Sequence, residues 1–189
     1  MKQLENTIFS GKYPEIAKNI AEIRGDLSKS IYRNGSEKDR GDRDLEIQTK
    51  GILCELIARD YMLKKHKKGF VFTPLIEYLQ ILKPNDPDLL FKDATFDIKY
   101  GSKNLNINYN DHHSKKRPQF YWFIVPISKT EAENYVFKGS DVDNWELMDG
   151  MSGSRYYRHK LNIENVYDII GDLFMLKELI QTNLLEGVS

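Results

Sequence analysis

One cysteine, Cys54, stands alone in 189 residues. It excludes an internal disulfide, offers no ligand spacing for a metal and suits a reducing compartment. Histidine is scarce as well, and four in the whole chain argue against a histidine-based zinc site. No glycine-rich phosphate loop of the Walker type occurs, and Ser152-Gly153-Ser154 lacks the flanking pattern of a nucleophile elbow. Neither charge sign dominates: 28 basic and 28 acidic residues leave a formal net charge of zero. Any contact with nucleic acid must therefore come from local patches. The longest apolar run, Phe120 to Ile127, is far too short to span a membrane. Met1 to Tyr13 lacks the apolar core of a signal peptide, so a cytoplasmic protein without membrane contact is expected. No repeat, heptad array or low-complexity tract is present.

What remains is the composition of a globular protein, 40% hydrophobic and 30% charged, long enough to bury a proper core. A single domain over 1–189 is expected. It divides into an N-terminal helix and charged loop (1–46), a core (47–127) and a C-terminal elaboration ending in a helix (128–189). Pro14 suits a first helical position, and Ile16, Ile20, Ile23, Leu27 and Ile31 recur at helical steps through residue 32. Arg33 to Asp44 is dense in charge and lacks apolar residues, which reads as a mobile surface loop or as an arm that orders on DNA. A second helix is expected from about Asp44 to His66, its stripe formed by Ile47, Ile52, Leu53, Leu56, Ile57, Tyr61 and Met62. Glu55 lies at the edge of that stripe, where a carboxylate is costly unless it is paired, reaches solvent or binds a metal. Arg59 at i+4 is one such partner. The Lys64 to Lys68 cluster closes the helix, as a solvated end or a phosphate site.

Phe70 to Phe72 reads as a short strand, and residues 73–82 as either helix or strand. Lys83 to Pro87 is a turn. Asn104 to Asn110 alternates strictly, which gives a half-buried strand with asparagines on one face. Asn106 and Asn108 could read base edges or simply face solvent. Asp111 to Pro118 is a polar loop or short helix containing Lys115, Lys116 and Arg117. Phe120 to Ile127 has the continuous apolar character of a strand covered on both faces. Tyr135 to Phe137 is a strand candidate, Arg155 to Lys160 a basic-aromatic run, and Asn162 to Gln181 an amphipathic helix. Backbone affinity for nucleic acid would come from Lys64 to Lys68, Lys115 to Arg117 and Arg155 to Lys160.

The stretch Pro87 to Tyr100 holds the candidate chemistry. Two strand-like runs flank a polar turn, and Asp97 and Lys99, two apart, emerge on one face. With the turn centred on Lys92-Asp93, equal offsets put Asp88 opposite Asp97. Like charges facing each other at roughly 4.5–5.5 Å between Cβ atoms are destabilising, and a divalent cation between them would remove the penalty. The plain alternative is an exposed Asp97–Lys99 pair with Asp88 capping a turn.

Glu55 on a helix, then Pro87-Asp88, then Asp97-Ile98-Lys99 on a strand resembles the PD-(D/E)xK nuclease superfamily, whose fold is restriction-endonuclease-like. The resemblance covers roughly Ile47 to Ile127. It implies that Asp88 and Asp97 ligate Mg²⁺, for which Mn²⁺ could substitute, with Glu55 a further or water-mediated ligand. Lys99 would contact the attacking water and the scissile phosphate. The chain departs from the pattern in its short Asp88-to-Asp97 gap, in a competing Asp86, and in Asp rather than Glu at 97. Asp111-His112-His113 resembles a DHH phosphoesterase signature, but that family's upstream motifs are missing. The expected fold is α/β, a central mixed sheet of at least four strands (around 88–91, 95–101, 104–110 and 119–127) flanked by helices. The resemblance implies a Mg²⁺-dependent DNA endonuclease of bacterial or phage origin, of the restriction type, and allows a homodimer. A repair or junction-resolving nuclease, or a non-catalytic nucleic-acid-binding module, is the alternative.

Overall fold

The computed structural model describes residues 1–31, 41–72, 87–114, 117–150, 153–163 and 166–171. Outside the described residues fall most of the charged stretch 33–44, the segment 73–86 with Asp86, Lys115 and Lys116, and the part of the expected terminal helix beyond 171.

Helix α1 (Tyr13–Ile31) starts where Pro14 predicts, and α2 (Gly41–His66) begins a few residues before the expected boundary. The inner face of α1 differs from the isoleucine stripe expected. Ala17 and Ala21 are fully buried, whereas Ile16 and Ile23 are 39% and 49% exposed. Alanines let the backbones of α1 and α2 approach closely, so that side was selected over the bulkier one. On α2, Ile52, Leu53, Ile57 and Met62 are buried as expected, and Ile47 is exposed.

The predicted hairpin forms. Strands β3 (Leu89–Phe91) and β4 (Ala94–Tyr100) pair Leu89 with Phe96 and Phe91 with Ala94. They are joined through Lys92 and Asp93 at φ 48° and 66°, the left-handed pair that a two-residue type I′ turn requires. Around it lies a six-stranded sheet ordered β1-β7-β6-β4-β3-β2, with β1 Lys2–Ile8, β2 Phe70–Phe72, β6 Phe120–Pro126 and β7 Glu131–Lys138. Among the described residues only β4 and β6 run parallel in this sheet; its other pairs are antiparallel.

The strand expected at 104–110 is not in this sheet. β5 (Asn104–Asn108) pairs with β9 (Arg155–Lys160), and β9 with β8 (Glu146–Asp149), as a separate three-stranded sheet. The reason is packing: β4 already has neighbours on both flanks. Leu105 and Ile107 bury themselves against Tyr121, Phe123, Val125 and Phe137 on the face of the large sheet instead. The strand also ends early, because the Asn108 side chain accepts hydrogen bonds from the Asn110 and Asp111 amides and opens the short helix α3 (Tyr109–His112). A second short helix, α4 (Gly139–Val142), follows β7.

The continuous apolar run of β6 now has its cause. Trp122 and Ile124 face α1 and α2 in one core, and Tyr121, Phe123 and Val125 face the small sheet in another. A buried polar group, Asn134, ties β1 into place. It accepts from Trp122 Nε1 at 3.1 Å and donates to Glu5 O at 2.9 Å and Thr7 Oγ1 at 3.0 Å, beside the irregularity between Leu4 and Thr7. Of the expected terminal helix, the described residues 162–163 and 166–168 are not helical, and helix is present at 169–171. No helix among the described residues is long and apolar enough to cross a membrane.

Candidate metal and nuclease site

The β3–β4 register, continued by one residue, sets Asp88 opposite Asp97 as the spacing predicts. Asp88 does not cap a turn. Its Oδ2 accepts the backbone N–H of Ile98 at 2.6 Å, extending the ladder by one rung with a side chain. Asp97 and Lys99 project from the same face of β4, with Lys99 Nζ at 2.9 Å from Asp97 Oδ2. Their side chains are only 24% and 35% exposed, so this is not a freely solvated surface pair. Lys99 also senses Asp88 and Asp111, and the acids together hold its ammonium above the usual lysine value despite its burial.

The acids are under electrostatic strain. Burial first, then the charges of Asp97 and Glu55, push Asp88 up to about 8, against the opposing pull of the Ile98 amide. Without a cation, Asp88 therefore holds a proton at neutral pH, the usual outcome for one of two facing carboxylates. Glu55 comes from α2, which packs on β4. Its carboxyl is raised by burial against the pull of Arg24 and Arg59, with Asp97 adding to the rise. Arg59 lies at 4.0 Å from Glu55 and over the Phe72 ring, so Glu55 has its i+4 partner and a place near the acids at once. The site sits where β3 has ended. Beyond Asp88 no strand among the described residues flanks β4 on that side.

The donor set suits a hard divalent cation. Two carboxylates of opposite strands would supply oxygen ligands, a third stands further off, and the proton held on Asp88 is what a cation would replace. Cys54, adjacent to Glu55, contributes nothing: it is fully buried, its thiol is pushed well above its normal range by burial, and Sγ lies 3.9 Å from the carbonyl of Ile124.

Other predicted contacts are dispersed. Asn106 is exposed on the outer face of β5, next to Arg158 of β9, while Asn108 is occupied in capping α3. Arg117 pairs with Asp143 at 2.9 Å and also bonds the carbonyl of Gly139. Lys64 donates to Ile8 O at 2.8 Å and Lys65 pairs with Glu5, so part of that basic cluster fastens α2 to β1. Arg155 lies 4.1 Å over the Tyr109 ring.

Three residues near the site carry no signal in the sequence reading: Tyr121, Asp143 and, beyond its place in a short motif, His112. His112 is fully buried, with Nδ1 at 3.0 Å from Tyr121 Oη and Nε2 at 2.8 Å from Asp143 Oδ1. The ligand atoms of His112, His113 and Asp143 all lie within 4.8 Å of one another, close enough for a metal. A cation there would replace the His112–Asp143 hydrogen bond and compete with the Arg117 guanidinium for the Asp143 carboxylate. That makes the group a better hydrogen-bond network than a metal centre. Comparison with known proteins returns no matching family model, no matching curated protein and no matching solved structure.

Proposed function

We propose that the chain is a Mg²⁺-dependent endonuclease that hydrolyses DNA phosphodiester bonds, of the restriction type, with a restriction-endonuclease-like core formed by α2, the β3–β4 hairpin and β6. The observation that carries this reading is the Asp88–Asp97–Lys99 constellation. Two half-buried acids face each other, one held by a backbone amide and raised to about 8, with a lysine 2.9 Å from the other. Such a strained pair is poor design for a hairpin and good design for a cation. Bound Mg²⁺ would neutralise phosphate charge and lower the pKa of a coordinated water. Asp88 and Asp97 would hold it, Glu55 would support it from a distance, and Lys99 would orient the attacking water and stabilise charge on the phosphate.

The test is plasmid DNA incubated with Mg²⁺ or Mn²⁺ and wild-type, Asp97→Ala or Lys99→Ala protein. Nicking or linearisation by wild type alone supports the reading. Equal cleavage by both variants removes the site assignment, and metal-independent binding without cleavage marks a non-catalytic nucleic-acid-binding module.

A further inference from the structure

Asp97 has a neighbour that the nuclease reading leaves unused. In the parallel β4–β6 pair Asp97 is in register with Tyr121, so the two side chains leave the same face of adjacent strands, which lie about 4.8 Å apart. Tyr121 is 1% exposed, and Asp97 is the charge that acts most strongly on its hydroxyl. Behind it runs an unbroken chain. Tyr121 Oη meets His112 Nδ1 at 3.0 Å, His112 Nε2 meets Asp143 Oδ1 at 2.8 Å, and Asp143 Oδ2 receives Arg117 at 2.9 Å. We propose that this Arg117–Asp143–His112–Tyr121 chain holds the tyrosine proton turned away from Asp97, leaving both Asp97 oxygens to a cation and Lys99. The inference rests on the metal-dependent reading of the acid pair.

The direction of every proton in the chain follows from its outer end. Hydrogen bonds from Arg117 and His112 hold Asp143 below the usual carboxylate range, so it is ionised at neutral pH and can only accept. Burial lowers the His112 pKa against the pull of Asp143, which leaves a neutral ring. A neutral ring that donates through Nε2 to Asp143 has a bare lone pair at Nδ1. Tyr121 must then donate to that lone pair, and its only proton is used. What its oxygen keeps free is an acceptor, which does not compete for the Asp97 carboxylate.

With the opposite tautomer the result reverses. A His112 Nδ1–H would donate to Tyr121, and the freed phenol proton would turn toward Asp97, the charge that acts most strongly on that hydroxyl. A charge-assisted hydrogen bond of that kind competes directly with a metal for the same oxygen. Asp143→Asn is the substitution that makes this change. Its amide oxygen can still accept from Arg117, which turns the amide N–H toward His112 Nε2 and forces the proton to Nδ1. The same exchange at the orienting aspartate of a serine-protease triad preserves geometry and presents the wrong tautomer.

Tyr121, His112 and Asp143 are thus positioning residues, and three variants separate this from a merely structural role. Nitrogen NMR of the His112 ring should report the Nε2–H tautomer in wild type and Nδ1–H in Asp143→Asn. Calorimetric titration with Mn²⁺ should show affinity reduced roughly tenfold or more in Asp143→Asn, the range for outer partners of metal ligands. Tyr121→Phe should stay within about twofold of wild type, and so should the double variant, because no phenol proton is left to misdirect. Rescue in the double variant is the decisive result, since damage to packing would accumulate. Failure of Asp143→Asn to change the tautomer, a changed tautomer with unchanged Mn²⁺ affinity, or a double variant as weak as the single each overturns the inference while wild-type cleavage still supports the nuclease. Wild type that binds no Mn²⁺ removes both.

Discussion

The two faces of the β4–β6 pair are built from the same two strands and differ in almost everything else. The helix-side face, with Ile98, Trp122 and Ile124, is uniformly apolar and sealed by α1 and α2. The opposite face is apolar only on β6, where Tyr121, Phe123 and Val125 lie under the small sheet, and on β4 it carries Asp97 and Lys99. The small sheet thus covers half of its face and leaves the other half to charge. On the proposed reading the helix-side face serves stability and the charged strip on β4 serves chemistry, with Tyr121 on the boundary. That division can be tested by asking whether substitutions on each face move the quantity assigned to it and leave the other alone.

The largest separation is expected on the charged face. Asp97→Ala and Lys99→Ala should lower Mg²⁺-dependent cleavage by about 10³-fold or more, in line with the loss of a ligand and of a positioned general acid–base or charge-stabilising group. Thermal melting of the metal-free protein should hardly fall, because Asp97→Ala also removes a like charge from beside Asp88. A melting temperature that collapses together with activity would show that the pair is structural. On the helix side the reverse holds. Trp122 is 2% exposed and donates to the buried Asn134, so Trp122→Ala should destabilise the fold by about 3–5 kcal/mol in a denaturant titration. A loss under about 1 kcal/mol would show that this face is less sealed than described.

A further effect is in pH, and its sign follows from Asp88. The folded value, about 8, lies above the ordinary aspartate value of about 4. The stability linked to Asp88 is therefore complete below the unfolded value and is lost as pH rises through about 8, so the metal-free protein should weaken from mildly acid to mildly alkaline conditions. Mg²⁺ must displace that proton, which makes affinity rise by up to about tenfold per pH unit until about pH 8 and then level off. Asp88→Asn keeps an acceptor for the Ile98 amide but has nothing to titrate, and its melting temperature should lose this pH dependence. A wild-type protein whose metal affinity is flat between pH 6 and 8 would contradict a proton held on Asp88.

How much of this the sequence discloses depends on the range of the interaction. The hairpin, its turn at Lys92-Asp93 and the facing acids are local, set by period-two alternation over a dozen residues, and they are where the spacing puts them. The buried side of α1 is not local. Ile16 and Ile23 outrank Ala17 and Ala21 on any hydrophobic pattern, yet the close approach of α2 decides in favour of the alanines. The second sheet is the largest departure, because alternation in β5 shows that one face is buried without showing against what. The His112–Tyr121 and His112–Asp143 contacts span 9 and 31 residues and leave no periodic trace at all. In the sequence Tyr121 is one apolar letter among eight.

The smallest effects separate two asparagines that the alternation of β5 treats as equivalent. Asn106 and Asn108 share one face, but Asn108 Oδ1 accepts from Asn110 N at 2.8 Å and Asp111 N at 3.3 Å, whereas Asn106 lies exposed in register with Arg158. Loss of a capping side chain usually costs about 0.5–2 kcal/mol, and an exposed strand substitution stays within about 0.5 kcal/mol. Asn108→Ala should therefore lower stability measurably, and because it loosens α3 it should also disturb the His112 ring that α3 carries. Asn106→Ala should leave both unchanged. Any effect of Asn106→Ala belongs to binding, measured as the affinity of labelled duplex DNA in Ca²⁺, where cleavage is suppressed. If Asn106→Ala destabilises the protein as much as Asn108→Ala, the outer face of β5 is part of the structural half of the molecule. The boundary drawn at Tyr121 would then have to be moved outward to include it.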